Sequence, residues 1–382
     1  MPFSRETDAI TAGREPGGAL VNPLVSSTTW ESTDLGEMAS KATGIRKDGL
    51  YTRYSNPTVR SFEDAIATLE GAESSLAFSS GMGALASTVF ALCSTGSHIV
   101  AQRQLYGGSR TFLETVCPRF GIDVTFVDAT VIGSFAAAVR PGKTMLIVAE
   151  VPSNPMLDLV DLSELSAIKG PFKLVDTTVA TPMGLRPVEH GIDLVFHSAT
   201  KGIGGHNDAM LGVVSGERDV VDAIWAYAVL HGAAPSPYDA HNALRGIRTL
   251  AVRTAHQNET AMDLAHRLES HSSVSRVHYL GLQSHRDHTL ATKMLNQFGT
   301  LIAFELKDGF EGATRTMNAL KLIRRSPSFG GPETIICHPA SSTHAGTDEG
   351  ELNATGITTG LLRLSVGLEG AADLWSDLSA AL

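Results

Sequence analysis

The sequence predicts an α/β protein with a mostly parallel sheet covered by helices on both faces, a smaller C-terminal α+β domain and an extended N-terminal arm. Three observations lead to this fold class. From residue 75 to about residue 216, short apolar runs alternate with helical patterns, as in parallel sheets whose strands are joined by helices. A long helical pattern begins after the Pro-Ser-Pro segment at 235–237 and precedes three further strand candidates. Residues 1–50 contain three prolines and few periodic runs.

The elements follow from these patterns in chain order. We assign residues 1–50 to the arm, residues 51–237 to the large domain and residues 238–382 to the small domain. Large-domain strands are expected at Ser75–Ser79, His98–Ala101, Val124–Val127, Met145–Val151, Lys173–Asp176, Leu194–His197 and Met210–Val214. Helices between them are expected at Gly81–Cys93, Ser109–Arg119 and Leu162–Lys169. The small domain has a long helical pattern that includes Leu244 and Leu268, and strands at Val274–Tyr279, Leu301–Leu306 and Leu361–Val366.

Composition and charge narrow the classes of function. The 382 residues include 30 Lys plus Arg and 40 Asp plus Glu, so the formal net charge is −10, and no basic run suits a nucleic acid. The apolar runs are far shorter than the ~18 residues of a membrane helix, and residues 1–15 lack an apolar export segment. Three cysteines without a CxxC pair, and 14 histidines without metal-ligand spacing, favour a reduced cytoplasmic protein with no metal site.

The segment SSGMG at 79–83 lies where a predicted strand ends and a predicted helix begins. The first N–H groups of a helix are unpaired and lie at the positive end of its dipole, so this turn suits a phosphate. A plain glycine-serine turn is an equally good interpretation of these residues alone. The segment also resembles part of a dinucleotide fingerprint but lacks its full glycine pattern, so a nicotinamide oxidoreductase is a weak alternative.

Two charged residues follow predicted buried strands. Lys201 comes shortly after the strand that ends at His197, behind two hydroxyl residues, and such a lysine suits a Schiff base. Asp176 ends another apolar strand, and the carboxyl ends of parallel strands line the ligand crevice of such sheets, so the two side chains could meet there. Taken singly, a lysine after a strand is usually on the surface and an aspartate there usually caps a turn.

Eight segments in register resemble the pyridoxal-phosphate (PLP) enzymes of cysteine and methionine metabolism, which include cystathionine synthases and lyases, methionine γ-lyases and O-acylhomoserine sulfhydrylases. The resemblance runs over nearly the whole chain and implies the fold-type I, aspartate aminotransferase-like architecture. The segments are YTRYSNPT (51–58), FSSGM (78–82), LYGG (105–108), PSNP (152–155), VDTTVATP (175–182), HSATK (197–201), HPASSTH (338–344) and RLSVG (363–367).

The resemblance also implies a role for each site residue. Lys201 would hold PLP covalently and move protons, Asp176 would keep the pyridine nitrogen protonated, and Tyr106 would stack on the ring. The phosphate ligands would be the backbone of Gly81 and Met82, the hydroxyls of Ser198 and Thr200, and Tyr51 with Arg53. Arg363, with Asn154 and Ser328 nearby, would bind the substrate α-carboxylate.

In this family Tyr51 and Arg53 reach into the active site of a neighbouring subunit. The resemblance therefore further implies a homo-oligomer, a tetramer made of two dimers, in which each active site is completed by a neighbouring subunit. The arm at 1–50 would contribute to that neighbouring site. The small-molecule partner is an amino acid, and neither a nucleic acid nor a membrane is expected.

The choice among family members depends on a few positions. Members that process cystathionine tend to carry acidic residues where this chain has Leu50 and Pro327, which favours a substrate with an uncharged end, such as methionine or an acylated homoserine. Methionine γ-lyases usually have a cysteine where this chain has Gly108. Methionine γ-elimination is the leading hypothesis. Cystathionine synthase or lyase activity, γ-replacement on an O-acylhomoserine and a catalytically silent oligomer are the alternatives.

Overall fold

The computed structural model describes residues 3–14, 17–346 and 349–382. Most of the described residues form two sheets and the helices packed on them. The strands are β1 (Ser74–Phe78), β2 (His98–Gln102), β3 (Asp123–Val127), β4 (Thr144–Glu150), β5 (Phe172–Asp176), β6 (Leu194–His197), β7 (Gly212–Gly216), β8 (Val274–His278), β9 (Leu301–Leu306), β10 (Arg324–Arg325), β11 (Ile335–Cys337) and β12 (Leu361–Ser365). Every strand predicted above is therefore confirmed to within two residues at each end.

The helices are α1 (Arg5–Thr11), α2 (Leu35–Thr43), α3 (Pro57–Glu70), α4 (Gly81–Leu92), α5 (Gly107–Thr111), α6 (Ser134–Ala138), α7 (Leu162–Ala167), α8 (Thr181–Gly184), α9 (Arg218–His231), α10 (Pro237–Ile247), α11 (Leu250–Glu269), α12 (His288–Met294), α13 (Gly309–Ala319), α14 (Glu349–Ala354) and α15 (Ala371–Ala381). The expected helix at Ser109–Arg119 is α5 continued by a π-turn and a 3₁₀ turn through Phe120. None of the described helices is long and apolar enough to span a membrane.

The first sheet has seven strands in the order β1-β7-β6-β5-β4-β2-β3. The pairs from β6 to β3 are parallel, whereas β7 runs antiparallel to both β6 and β1. Helices cover both faces, since successive buried residues of a strand point to opposite sides. For example, Leu76 and Phe78 pack with α4 and α9, while Ala77 packs with α3 and α10. The expectation of a mostly parallel, doubly covered sheet is confirmed.

The antiparallel position of β1 bears on the nicotinamide alternative. A dinucleotide fingerprint needs a strand, a helix and a second parallel strand beside the first. The strand before the glycine-rich turn, β1, pairs only with β7 among the described strands, and that pairing is antiparallel. The turn at 79–83 therefore does not belong to a parallel dinucleotide-binding unit.

The second sheet has five strands in the order β10-β11-β12-β9-β8. Helices α11 and α13 pack on it, and α15 packs against these two helices. The long helical pattern expected before this sheet is divided into α10 and α11. The reason lies at Gly246, whose carbonyl accepts hydrogen bonds from the Thr249 N–H and from Nη2 of Arg253. A helix cannot continue regularly where its carbonyl is bonded to the residue three positions on and to a side chain.

The expected arm at 1–50 is only partly extended, because it contains α1 and α2. Ser4 caps α1, and Ala9 is 2% exposed. The helix packs against α3 and α11, and Nη1 of Arg5 donates to the carbonyls of Pro182 and Met183. The first part of the arm therefore lies on its own chain. The boundaries at residues 50 and 237 stay predictions.

Candidate active site

Asp176, Lys201 and Arg363 lie where β4, β5 and β6 end and where β12 faces them. Asp176 is the last residue of β5, and Lys201 lies in the turn that follows β6. Arg363 lies in the middle of β12, in the other sheet. The adjacent parallel strands β5 and β6 thus bring Asp176 and the Lys201 turn to one edge, as the strand-end argument predicted.

Lys201 is held between the two sheets. Its Nζ donates to Oγ of Ser328 at 2.8 Å and lies 5.6 Å from the centre of the Phe329 ring. The two loops approach closely, since a Cβ on Gly330, which has a φ of +84°, would lie 2.5 Å from the Gly202 nitrogen. Burial and the positive charge of Arg363 lower the pKa of Lys201. A lowered pKa makes the neutral, nucleophilic amine more available near neutral pH.

Asp176 receives its hydrogen bonds from a single neighbour. The N–H and the hydroxyl of Thr178 both donate to Oδ1, at 2.9 and 2.5 Å. Burial raises the pKa of Asp176, although the hydrogen bonds from Thr178 act in the opposite direction. Among the described residues no hydrogen bond is donated to Oδ2. This oxygen is therefore available to a cationic ring nitrogen, whose charge would stabilise the carboxylate.

The turn before α4 has the geometry of an anion site. Oγ of Ser80 caps the helix by accepting the N–H of Gly83 at 3.0 Å, which leaves the N–H groups of Gly81 and Met82 without partners in the helix. A Cβ on Gly81 would lie 3.2 Å from Oγ of Ser198. The expected phosphate ligands Gly81, Met82 and Ser198 therefore lie together.

The hydroxyl of Thr200, another expected phosphate ligand, is bonded to Leu211 in this structure. It donates to the carbonyl of Leu211 at 3.2 Å and accepts the N–H of the same residue at 3.0 Å. A hydroxyl has only one hydrogen to donate. In this structure the hydroxyl of Thr200 therefore fixes the Lys201 turn to the start of β7, and donation to a phosphate would require it to leave Leu211.

Arg363 forms a buried clamp with the other two residues expected to bind substrate. Its Nη1 donates to Oδ1 of Asn154 at 2.8 Å, and its Nη2 donates to the carbonyl of Ser328 at 2.6 Å. Arg363 is 2% exposed, and its Nε has no hydrogen-bond partner among the described residues. Ser328 has a φ of +90°, a conformation that is costly for a residue other than glycine and that is typical of functional sites.

Tyr106 precedes α5 and is 44% exposed. Its ring lies over Gly108, where a Cβ would be 2.6 Å from Cε1 of the ring. Its N–H donates to Oε2 of Glu150 at 2.7 Å. Sequence reasoning missed Glu150, although a signal was present, because Glu150 ends a buried apolar strand just as Asp176 does.

The chain does not bring Tyr51 and Arg53 to the other site residues. The guanidinium of Arg53 lies over the rings of Tyr51 and Tyr54, and its Nη1 donates to the carbonyl of Val229 at 2.6 Å. Among the described residues, Arg53 thus contacts Val229, Tyr51 and Tyr54, and none of these belongs to the group around Lys201. Their expected role in a neighbouring subunit stays a prediction.

Comparisons with known proteins agree with this arrangement. The model of the family described as Cys/Met metabolism PLP-dependent enzyme matches residues 6–382. An L-methionine gamma-lyase of Pseudomonas deceptionensis is 40% identical over 100% of this chain and 97% of its own length. A cystathionine beta-lyase of Coxiella burnetii is 38% identical over 99% of this chain and 97% of its own.

Solved structures show the same fold. The cystathionine gamma synthase of Xanthomonas oryzae pv. oryzae, in complex with aminoacrylate and cysteine, superposes with a TM-score of 0.93 at 34% identity and covers 100% of this chain and 98% of its own. A Campylobacter jejuni structure that contains N'-pyridoxyl-lysine-5'-monophosphate superposes with a TM-score of 0.94 at 28% identity, over 99% of each chain.

The fold and the site together define a PLP-dependent enzyme of fold type I. The residues fit the cofactor, because an amine of lowered pKa, a carboxylate oxygen without a hydrogen bond and an uncovered helix N-terminus occur at one edge of the sheet. The chain belongs to the family of Cys/Met metabolism PLP-dependent enzymes. It is an enzyme that carries out elimination or replacement reactions on sulfur amino acids.

Proposed function

We propose that the enzyme is a methionine γ-lyase, which converts L-methionine and water to methanethiol, 2-oxobutanoate and ammonia. The observation that carries this choice is the apolar pair Leu50 and Pro327, at positions where cystathionine-processing relatives tend to carry acidic residues. Pro327 directly precedes Ser328, which contacts both Lys201 and Arg363. No carboxylate at this position compensates a distal ammonium group, whereas the thioether of methionine needs no such partner.

The cavity beside Asn154 has a mixed wall, in which Arg103 and Glu114 are charged residues. It has a volume of about 340 Å³, and Leu105, Met156 and Ile357 are among the residues that line it. Burial and the charges of Arg363 and Arg110 lower the pKa of His344 in its wall to about 4, so this imidazole is neutral at pH 7. Arg110 and Glu351 form an ion pair of 2.8 Å across the same wall.

The residues divide the chemistry among them in this proposal. Arg363 binds the substrate α-carboxylate, and Asn154 and the Ser328 carbonyl hold the guanidinium in place. Bound PLP supplies an acceptor for the electron pair left on Cα when its proton is removed. The amine of Lys201 removes and returns protons at Cα and Cβ, and Asp176 holds the proton on the ring nitrogen.

The test is a substrate screen with the purified protein loaded with PLP. Methionine, cystathionine, cysteine and O-acetylhomoserine with sulfide are supplied separately, and methanethiol, hydrogen sulfide, 2-oxobutanoate and homocysteine are measured. We expect methanethiol and 2-oxobutanoate in equal amounts from methionine, and neither from the Lys201→Ala variant. Turnover of cystathionine alone would overturn the choice of substrate.

A second candidate is γ-replacement on an O-acylhomoserine. Gly108 favours it, since methionine γ-lyases usually carry cysteine at that position. An O-succinylhomoserine sulfhydrylase of Pseudomonas aeruginosa is also 35% identical to this chain. Homocysteine formed from an acyl ester and sulfide faster than methanethiol is formed from methionine would establish this candidate instead. A protein that stays colourless with added PLP would indicate a catalytically silent member.

We further propose that Tyr51 and Arg53 complete the site of a neighbouring subunit in a cytoplasmic homotetramer. The exposed apolar side chains of the arm, among them Leu20, Val21 and Leu35, support such an assembly. Subunit mixing tests the shared site. Arg53→Ala and Lys201→Ala proteins are each expected to be inactive, but mixed dimers regain one intact site, which gives about a quarter of full activity. If both residues act within one chain, mixing restores nothing.

A further inference from the structure

Glu150 is a buried carboxylate that the proposed chemistry does not use. It is the last residue of β4 and is 4% exposed, and it lies beside Asp176 in register across β4 and β5. Burial and the negative charge of Asp176 raise the pKa of Glu150 well above its ordinary value. Two neighbouring carboxyl groups inside a protein are costly to keep, so each needs compensating partners.

The partners of Glu150 are two backbone groups that belong to different parts of the site. Its Oε2 accepts the N–H of Tyr106 at 2.7 Å, and its Oε1 accepts the N–H of Asn154 at 2.9 Å. Tyr106 carries the exposed ring before α5, and the Asn154 side chain holds Arg363. One carboxyl group therefore joins the expected cofactor-stacking ring to the expected substrate clamp.

The backbone of Glu150 is hydrogen-bonded to a side chain at the end of β2. Its N–H donates to Oε1 of Gln102 at 2.9 Å, and Nε2 of Gln102 donates to the carbonyl of Gln104 at 3.0 Å. Gln102 is the last residue of β2 and is fully buried. The Gln102 side chain thus joins the backbone of Glu150 to the segment that leads from β2 to Tyr106, and the Glu150 carboxyl group joins Tyr106 to Asn154.

We propose that Glu150 is a positioning residue that sets the distance between Tyr106 and the Asn154–Arg363 clamp, and so the alignment of the substrate α-carboxylate with the cofactor ring. This inference rests on the active site proposed above, but not on methionine as the substrate. The two N–H groups bond to different oxygens of Glu150, on opposite sides of its carboxyl group, and an amide has only one oxygen. Glutamine at this position would turn an NH₂ group towards one of the two N–H groups.

The test compares Glu150→Gln with a matched control, Asp377→Asn. Asp377 also accepts backbone N–H groups with both oxygens, from Lys321, Leu322 and Ile323, but it lies on helix α15, away from the site. We expect Glu150→Gln to raise KM by about tenfold with a smaller change in kcat, as when one buried N–H group loses its acceptor. It should also weaken PLP binding to the apo-protein, measured by fluorescence quenching. Asp377→Asn should change the melting temperature alone.

A double-mutant cycle distinguishes positioning from general stability. If Glu150 acts through Asn154, the Glu150→Gln/Asn154→Ala double variant should raise KM by much less than the product of the two single effects. Unchanged KM and PLP affinity in Glu150→Gln, or single effects that simply multiply, would overturn the proposal. Should Glu150→Gln fail to fold, Glu150→Asp keeps a carboxyl group on a shorter side chain, reaches only one of the two N–H groups and should show the same pattern more weakly.

If methionine is not the substrate, the measurements give a different result from the one expected if Glu150 has no positioning role. The measurements use whichever sulfur amino acid the unchanged protein turns over, so a protein inactive on methionine still permits the cycle with another substrate. The PLP affinity of the apo-protein needs no turnover at all.

Discussion

The Gly108→Ala variant gives the sharpest test of the geometry around Tyr106. Gly108 lies within α5, and its φ is not positive, so alanine fits the helix backbone and should not destabilise it. The new methyl group, however, would lie 2.6 Å from Cε1 of the Tyr106 ring and 3.3 Å from Cδ1 and Cζ. The ring edge must therefore move by about 0.8 Å to reach ordinary van der Waals contact.

Tyr106 is expected to stack on the cofactor, and a displacement of this size at its ring should lower kcat/KM by roughly 100-fold, since misplacement by about 1 Å has effects of that order. The assay is steady-state turnover of the variant next to the same substitution in a Tyr106→Ala background. Without a ring to displace, Gly108→Ala should have no further effect. An unchanged kcat/KM in the single variant, or an equal loss in both backgrounds, would refute the reasoning.

Three further outcomes follow from the site and its surroundings. Arg363→Lys loses the two-pronged guanidinium, so KM for the amino acid should rise about 10- to 100-fold while kcat changes less. Burial and Arg363 lower the pKa of Lys201 from 10.5, so the rate at which PLP attaches to the apo-protein should rise with pH and level off below pH 10.5. Visible absorbance measures this rate, and a plateau only above pH 10.5 would contradict the lowered pKa. Burial lowers the pKa of His285 from 6.5 to about 4, so only the unfolded chain gains its proton between these values. The free energy of unfolding should therefore fall by up to ~3 kcal/mol from pH 6.5 to pH 4, as measured with urea, and His285→Asn should show a weaker dependence.

Sequence reasoning located the strands and the main site residues for a physical reason. The strands of the first sheet other than the edge strand β3 are buried on both faces and so appear as short continuous apolar runs. Asp176 and Lys201 stand just after two such runs, and the parallel order of the strands brings these runs to the same edge. The apolar runs in the sequence and the parallel order of the strands therefore together determine where these two residues lie.

The features that sequence reasoning missed depend on contacts between distant segments. Glu150 has its role because the N–H of Tyr106, 44 residues earlier, reaches its side chain. The break between α10 and α11 depends on Arg253, whose side chain reaches back to Gly246. Helical periodicity continues through that break because both helices bury one face, so the spacing of apolar residues could not reveal it.

Ser328 has a practical consequence for anyone who wishes to redesign substrate preference. Its side chain binds the amine of Lys201, its carbonyl binds Arg363, and its backbone adopts a left-handed conformation that glycine alone enters freely. Glycine would remove the hydroxyl, and most other residues would shift the carbonyl. Directed-evolution libraries should leave this corner unchanged and vary the cavity wall around Met156 and Ile357, where new shapes can be explored without disturbing the reacting groups.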